Sequence, residues 1–316
     1  MRVAFFGTPD FAVPSLVKLH KAGFDICCVI TAKEKPKGRG LKILPSPVKT
    51  KAQELGIEVL EPEDPNTREF YESLAPKNIE IGVLAAYGYI LKPLLLSLPK
   101  RGFINLHPSL LPRYRGAAPI NWAIIRGEKE TGLTTFLMNE KIDAGKIVQQ
   151  RKLEIKTEET AGELTQRLAE LGAELMVETL QLIEKDNFPT VQQIDQEVVI
   201  APKIKDNDRI IDWTKTNLEI HNRIRGLSPM PTAYTHFRDK RVEFYRSSCL
   251  VHNANVVKPT DLVPGTIVIP NKDLIIATGN GLLNITQLKV EGGKMITGRD
   301  FINGQRIKIN EKFYRP

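Results

Sequence analysis

The sequence of 316 residues is poor in cysteine and has no sustained apolar run. Its three cysteines are Cys27, Cys28 and Cys249. No Cys-x-x-Cys pair occurs, which argues against a cysteine zinc site, and no metal is expected. Cys27 and Cys28 are neighbours in an apolar, strand-like run. Strand alternation predicts that they face opposite sides of a sheet, so an ordinary disulfide between them is not expected. The opening apolar stretch is too short for a signal sequence, and Asp10 interrupts it early. No stretch is long and apolar enough to span a membrane. A soluble, cytoplasmic protein without a membrane partner is expected. There are no internal repeats and no low-complexity tract. Nor is there a dinucleotide fingerprint. Gly7-Thr8-Pro9 is not GxGxxG, and the proline removes a phosphate-binding N–H.

A chain of this length predicts two domains, at about 100–200 residues each, and it can bury full cores without staples. It carries 45 Lys and Arg against 37 Asp and Glu, a formal net charge of +8. That moderate excess suits a polyanionic partner without requiring one.

The first half alternates short apolar runs with helical patterns. Residues 3–6, 27–30, 58–60, 81–85 and 103–106 read as strands, and 13–22 as an amphipathic helix. Ser46 and Pro47 have the chemistry of a helix start, feeding 48–55. Further strands are expected at 134–138 and 147–153. This order predicts a Rossmann-like α/β fold, a mostly parallel sheet with helices on both faces. Thr160 and Glu163 have capping-box spacing. Leu164, Leu168, Leu171, Leu175 and Leu182 mark an apolar stripe behind them, in a helix expected to end near Asp186-Asn187. Residues 191–208 are polar and of mixed charge. The expected division is a first domain over 1–190, a linker over 191–207 and a second domain over 208–316. In the second domain, 232–237 and 242–245 flank Arg238-Asp239-Lys240 as a hairpin. Short strands at 266–269, 274–277 and 282–288 complete the pattern of a small antiparallel β-barrel.

The most informative stretch is Ile104-Asn105-Leu106-His107-Pro108-Ser109-Leu110-Leu111-Pro112-Arg113-Tyr114-Arg115-Gly116. Alternation puts Asn105 and His107 on one face, and Pro108 stops the strand. Both polar side chains therefore sit at a strand's carboxyl end, where open α/β sheets bind ligands. The chemistry suits acyl transfer. An amide donor stabilises a developing oxyanion, and a histidine moves a proton to or from an attacking amine. A carboxylate can orient that histidine, and Asp143 in Ile142-Asp143-Ala144-Gly145 is a candidate. Taken singly, such residues are ordinarily turn or cap residues, and spacing alone does not bring Asp143 to His107.

The Asn-x-His-Pro-Ser-Leu-Leu-Pro run, the following Arg-Tyr-Arg-Gly and the later Asp-Ala-Gly resemble the signature of the 10-formyltetrahydrofolate-dependent formyltransferases. The resemblance implies Asn105, His107 and Asp143 as the catalytic set. It implies 10-formyltetrahydrofolate as formyl donor, contacted by Ser109, Leu110, Leu111 and Pro112. The pterin would lie along Val83, Ala86, Tyr87, Gly88, Ile90 and Leu91. Three further features resemble the tRNA-acting members of the family: Phe6-Gly7-Thr8-Pro9-Asp10-Phe11-Ala12-Val13-Pro14; the insertion at 35–49; and a second domain carrying Ile211-Asp212-Trp213 and Ile224-Arg225-Gly226-Leu227-Ser228-Pro229. They imply methionyl-initiator-tRNA as acceptor and an oligonucleotide-fold-like (OB-like) second domain, with a monomer as the expected state.

Lys35, Lys37, Arg39 and Lys42 can neutralise phosphates, although a short charge run is ordinarily a solvated loop. The resemblance assigns that loop to the tRNA acceptor stem, with Arg39 its important arginine. Lys203, Lys205, Arg209, Arg238, Lys240 and Arg241 are candidate tRNA contacts in the second domain. Met230-Pro231 departs from the family's frequent Trp-Pro, and methionine is expected to fill the same apolar space. Alternative acceptors are an amino sugar nucleotide, glycinamide ribonucleotide or water. An alternative of another class is a non-catalytic tRNA- or folate-binding module.

Overall fold

A computed structural model describes residues 1–33, 36–37, 42–186, 188–250, 262–268, 273–308 and 310–315, with only the backbone at 36–37 and 42–43. The chain divides into two compact units: Met1–Pro119 with Glu130–Glu154 and Thr165–Ala201, and Ile120–Lys129 with Ile155–Leu164 and Pro202–Pro316. The stretch expected as a linker is thus split at Ala201/Pro202. No described helix is long and apolar enough to cross a membrane.

The first unit is built on β1 (Arg2–Gly7), β2 (Asp25–Ile30), β5 (Val59–Leu60), β6 (Ile81–Ala85), β7 (Phe103–His107), β8 (Glu130–Leu137) and β9 (Ile147–Glu154). A two-residue antiparallel pair, β3 (Pro36–Lys37) and β4 (Lys42–Ile43), stands apart. The sheet order is β5-β2-β1-β6-β7-β8-β9. It is parallel from β5 to β7, and β8 and β9 join antiparallel. The helices α1 (Val13–Lys21), α2 (Pro47–Glu54), α3 (Arg68–Leu74) and α4 (Pro93–Leu96) fill the crossovers. The chain moves one way from β1 to β5 and the other from β6 to β7. Right-handed crossovers then put helices on both faces. Pro47 opens α2 behind Ser46, whose hydroxyl accepts from the Lys49 N–H, as the sequence predicts.

α5 (Pro119–Ile125) follows, and α6 (Ala161–Glu184) is the long helix. Thr160 and Glu163 cap α6 reciprocally. Leu164, Leu168 and Leu175 are buried, whereas Leu171 and Leu182 are only half-buried. The stripe drifts because 3.6 residues per turn do not match the spacing of those leucines, and Met176, Leu180 and Ile183 carry it on. The expectation that Cys27 and Cys28 face opposite sides of the sheet is corrected. The β1–β2 register slips between Val3 and Ala4, leaving Cys27 as an extra residue, and the two sulfurs lie 3.8 Å apart as free thiols. A bulge breaks the alternation on which the expectation rested.

The second unit contains α7 (Asp206–Arg209), α8 (Asn217–Leu227), β10 (Ala233–Phe237), β11 (Lys240–Cys249), β12 (Ile267–Val268), β13 (Leu274–Ala277), β14 (Leu282–Val290), β15 (Met295–Thr297), α9 (Gly298–Gln305) and β16 (Phe313–Tyr314). The expected hairpin is present, with Phe237 opposite Lys240. Strands run β12-β13-β14-β11-β10-β16. The Phe313 N–H donates to Gly265 O and the Ile267 N–H to Glu311 O, so the last strand returns to the first and the sheet closes into a barrel. Trp213, Phe237, Phe244, Phe301 and Phe313 fill its interior. Phe313 meets Phe244 edge-on at 5.4 Å. Met230 does not fill apolar space as expected. It is 79% exposed, in a turn between two prolines that points it away from the core.

Candidate active site

β7 lies between β6 and β8, with Asn105 opposite Leu84 and Phe136, and His107 opposite Thr134. Alternation puts Asn105 and His107 on one face, and burial on a central strand leaves them only 8% and 5% exposed. The chain then turns. Ser109 N–H donates to His107 O, and its hydroxyl to Arg113 O at 2.6 Å. This brings the Tyr114 carbonyl 2.8 Å from His107 Nε2. A carbonyl only accepts, so Nε2 carries the ring proton there.

Asp143 comes from the turn joining β8 to β9. Its carboxylate accepts from the Gly116 N–H at 2.9 Å and stands 3.7 Å from His107 Nδ1. That is an ion-pair distance rather than a hydrogen bond. Gly116 has φ +123°, and a Cβ there would sit 2.6 Å from Ala201 O. A side chain at 116 would therefore move the N–H that fixes Asp143. Two glycines thus shape the site, because a Cβ at Gly145 would lie 1.7 Å from Leu137 O.

Asn105 and Asp143 open onto a cavity of about 140 Å³ with Leu84, Ile90, Leu91, Phe136 and Met138 among its walls. Asn105 Oδ1 is buried and has no hydrogen-bond partner among the described residues. A second cleft, of about 720 Å³, is lined by Thr8 and Pro9 after β1, Ala32 and Lys33 after β2, and Ala86, Tyr87, Gly88 and Tyr89 after β6. The strand order reverses between β1 and β6, where open sheets take ligands. Burial pushes the Tyr87 phenol well above its ordinary value, with the neighbouring Tyr89 adding to the effect.

Of the residues expected to hold the pterin, Ile90 and Leu91 line the small cavity, and Ala86, Tyr87 and Gly88 the large cleft. Val83 lines neither; it is fully buried between Phe5 and Ile104. The 109–112 loop turns its side chains inward. Ser109, Leu111 and Pro112 are buried and Leu110 half-buried. Thr134 Oγ1 donates to Ser109 O and accepts from the Leu111 N–H, and Gln150 Nε2 donates to Leu111 O. Much of that backbone is already bonded, and none of the four residues lines either cavity.

Lys35 and Arg39 lie outside the described residues, as do the side chains of Lys37 and Lys42. Lys203 and Lys205 are exposed. Arg209 and Arg241 lie over the Tyr234 ring, at 5.3 and 3.7 Å. Glu243 faces three cations, Lys289, Arg241 and Arg209, at 3.7, 3.8 and 3.9 Å. Arg238 pairs with Glu311 at 2.8 Å, and Lys240 is exposed. Among the described residues no group of three or more His, Cys, Asp and Glu could hold a metal ion.

Sequence reasoning missed Gly116, the Tyr114 carbonyl and Gln193. Gln193 donates to Asp143 O and Gly145 O at 2.9 and 2.8 Å. Nothing in its polar surroundings marks it, since the contact spans 50 residues of chain.

Two family profiles match the chain, "Formyl transferase" over residues 1–180 and "Formyl transferase, C-terminal domain" over 203–306. A methionyl-tRNA formyltransferase of Caldanaerobacter subterraneus subsp. tengcongensis is 42% identical, over 97% of this chain and 98% of its own. One of Pelotomaculum thermopropionicum is 41% identical over 96% of both. Solved structures share the fold. A sugar 3N-formyl transferase with dTDP and 5-N-formyl-THF has TM-score 0.68 at 19% identity, over 93% of this chain and 99% of that one. HypX of Aquifex aeolicus with tetrahydrofolic acid has TM-score 0.64 at 17% identity, over 99% of this chain and 48% of that one.

Proposed function

Because the chain belongs to the formyl transferase family, we propose that it moves a formyl group from 10-formyltetrahydrofolate to the amino group of methionyl-initiator-tRNA, with Asn105, His107 and Asp143 as its reacting residues. The acceptor follows from relatives about 40% identical along nearly their whole length. The observation that carries the chemistry is the convergence of a buried amide, an imidazole and a carboxylate at the end of β7, two of them on the wall of one cavity.

The cavity suits a flat heterocycle. Its walls at Leu84, Leu91, Phe136 and Met138 are apolar, and the unpartnered Asn105 amide oxygen awaits a donor. Bound there, the folate supplies an activated formyl carbon. The Asn105 amide N–H donates to the formyl oxygen as the amine attacks and charge builds on that oxygen. His107 Nδ1, the ring nitrogen that Tyr114 leaves free, takes the proton the amine loses. It returns that proton to the folate nitrogen as the carbon–nitrogen bond breaks. Asp143 balances the charge on the ring in between. Neither a metal nor a covalent enzyme intermediate is needed for this balance. Lys35, Lys37, Arg39 and Lys42, with Lys203 and Lys205, are the proposed partners of tRNA phosphates.

The test is formylation of methionyl-tRNA, an amino sugar nucleotide and glycinamide ribonucleotide under one set of conditions. Turnover of methionyl-tRNA alone is expected, and Asn105→Ala should slow it about 100–1,000-fold at saturating substrates. Preferred turnover of another acceptor would replace the substrate. Undiminished turnover by Asn105→Ala would remove the oxyanion role.

A further inference from the structure

Asp143 adopts φ +51°, in the left-handed region that non-glycine residues enter uncommonly, and contacts around it hold it there. The constraint comes from far along the chain. Gln193 is 6% exposed, and among the described residues its side chain makes three hydrogen bonds, all internal. Arg115 Nε donates to its Oε1 at 2.9 Å. Its Nε2 donates to both Asp143 O and Gly145 O. A guanidinium only donates and carbonyls only accept, so the amide has a single satisfying orientation. The same segment also grips the other holder of Asp143. Arg115 N–H donates to Val199 O, and Ala201 N–H to Arg115 O, next to the Gly116 whose N–H binds the Asp143 carboxylate. Val191 pairs with Ile147 at the start of β9.

We propose that Gln193 is a positioning residue, and that the strap over residues 191–201 sets the distance between the Asp143 carboxylate and His107. The strap holds Asp143 at two points. One is the backbone, through the Gln193 amide. The other is the carboxylate, through Arg115 and Gly116. Removing the Gln193 N–H donors takes the partner from the buried Gly145 carbonyl and the half-buried Asp143 carbonyl and frees the turn to relax. The carboxylate then drifts from His107 Nδ1. A displacement of about 1 Å in a reacting constellation costs on the order of 100-fold in rate. Gln193 does not line the cavity beside Asn105, so substrate binding should change little.

This inference rests on the catalytic assignment above, and its test separates the two. Gln193→Met keeps the size and removes the donors; Gln193→Glu keeps the shape and sets an oxygen against the two carbonyls. Steady-state formylation is measured for both, for Asp143→Asn and for the double variant Asp143→Asn/Gln193→Met, with thermal midpoints alongside. Both Gln193 variants should lose about 100-fold in kcat with each KM within about threefold. Adding Gln193→Met to Asp143→Asn should cost little more, because the two act through one contact. Losses that multiply, a rise in KM alone, or unchanged kcat would overturn the positioning role. If Asp143→Asn itself retains full kcat, the catalytic assignment falls instead.

Discussion

The end of β7 and the outer face of β10, β11 and β14 both gather polar side chains on a sheet, yet they hold them differently. At β7 the groups are few, buried and fixed by backbone: His107 by Tyr114 O, Asp143 by the Gly116 N–H. On the barrel face, half-buried charges that keep contact with water pair with each other, three cations around the single Glu243 carboxylate. Exposed ion pairs contribute about 0–1 kcal/mol each, whereas a buried polar group left without its partner costs about 1–3 kcal/mol. The first arrangement fixes geometry, which chemistry needs. The second leaves an excess of positive charge, which suits a phosphate backbone whose position need not be exact to a fraction of an ångström.

The sharpest way to separate inside from outside lies within β11. Phe244 points into the barrel and its neighbour Glu243 points out. Phe244→Ala should cost about 3–5 kcal/mol in a denaturant melt. Glu243→Gln should cost under about 1 kcal/mol and tighten tRNA binding. Equal losses would erase the distinction.

A smaller effect is expected at Glu163. The Thr160 N–H and then Arg246 hold its carboxyl down to about 2. A lowered folded value contributes stability above the unfolded value of about 4.3. That contribution is lost as pH falls through that value toward about 2. Glu163→Gln should therefore be less stable than the parent by about 1 kcal/mol or less at pH 7, with the gap closing below pH 4. A gap that does not shrink at all between pH 4 and pH 2 would mean the charge is not its source.

The smallest change is expected for Lys203→Ala and Lys205→Ala. Each should weaken methionyl-tRNA binding a few-fold and reduce the slope of log affinity against log salt by about 1. An unchanged slope would take these lysines off the tRNA surface.

The contrast also governs what could be read from sequence. Strand alternation was enough for Asn105 and His107, because period two and Pro108 are local facts. The pairing of Asp143 with His107 needed the family resemblance, and Gln193 was beyond both, because its partners lie in a turn far back in the chain. Helix α8 starts where Thr216 and Glu219 cap each other reciprocally, but its apolar pattern at Ile220, Ile224 and Leu227 is too short to stand out among the strands. The barrel was legible as a run of short strands. Its closure was not, because Phe313–Tyr314 is only two residues long and lies next to β10 solely by tertiary pairing.

That closure carries a consequence for biosynthesis. β10 and β11 can form their hairpin as soon as they emerge from the ribosome, but Gly265 and Ile267 find their partners only at Glu311 and Phe313. Until translation has passed Tyr314, the barrel has two unsatisfied edges and a missing phenylalanine in its core. The second unit must wait for nearly its entire length to be made, while β7, which carries Asn105 and His107, already has its neighbours.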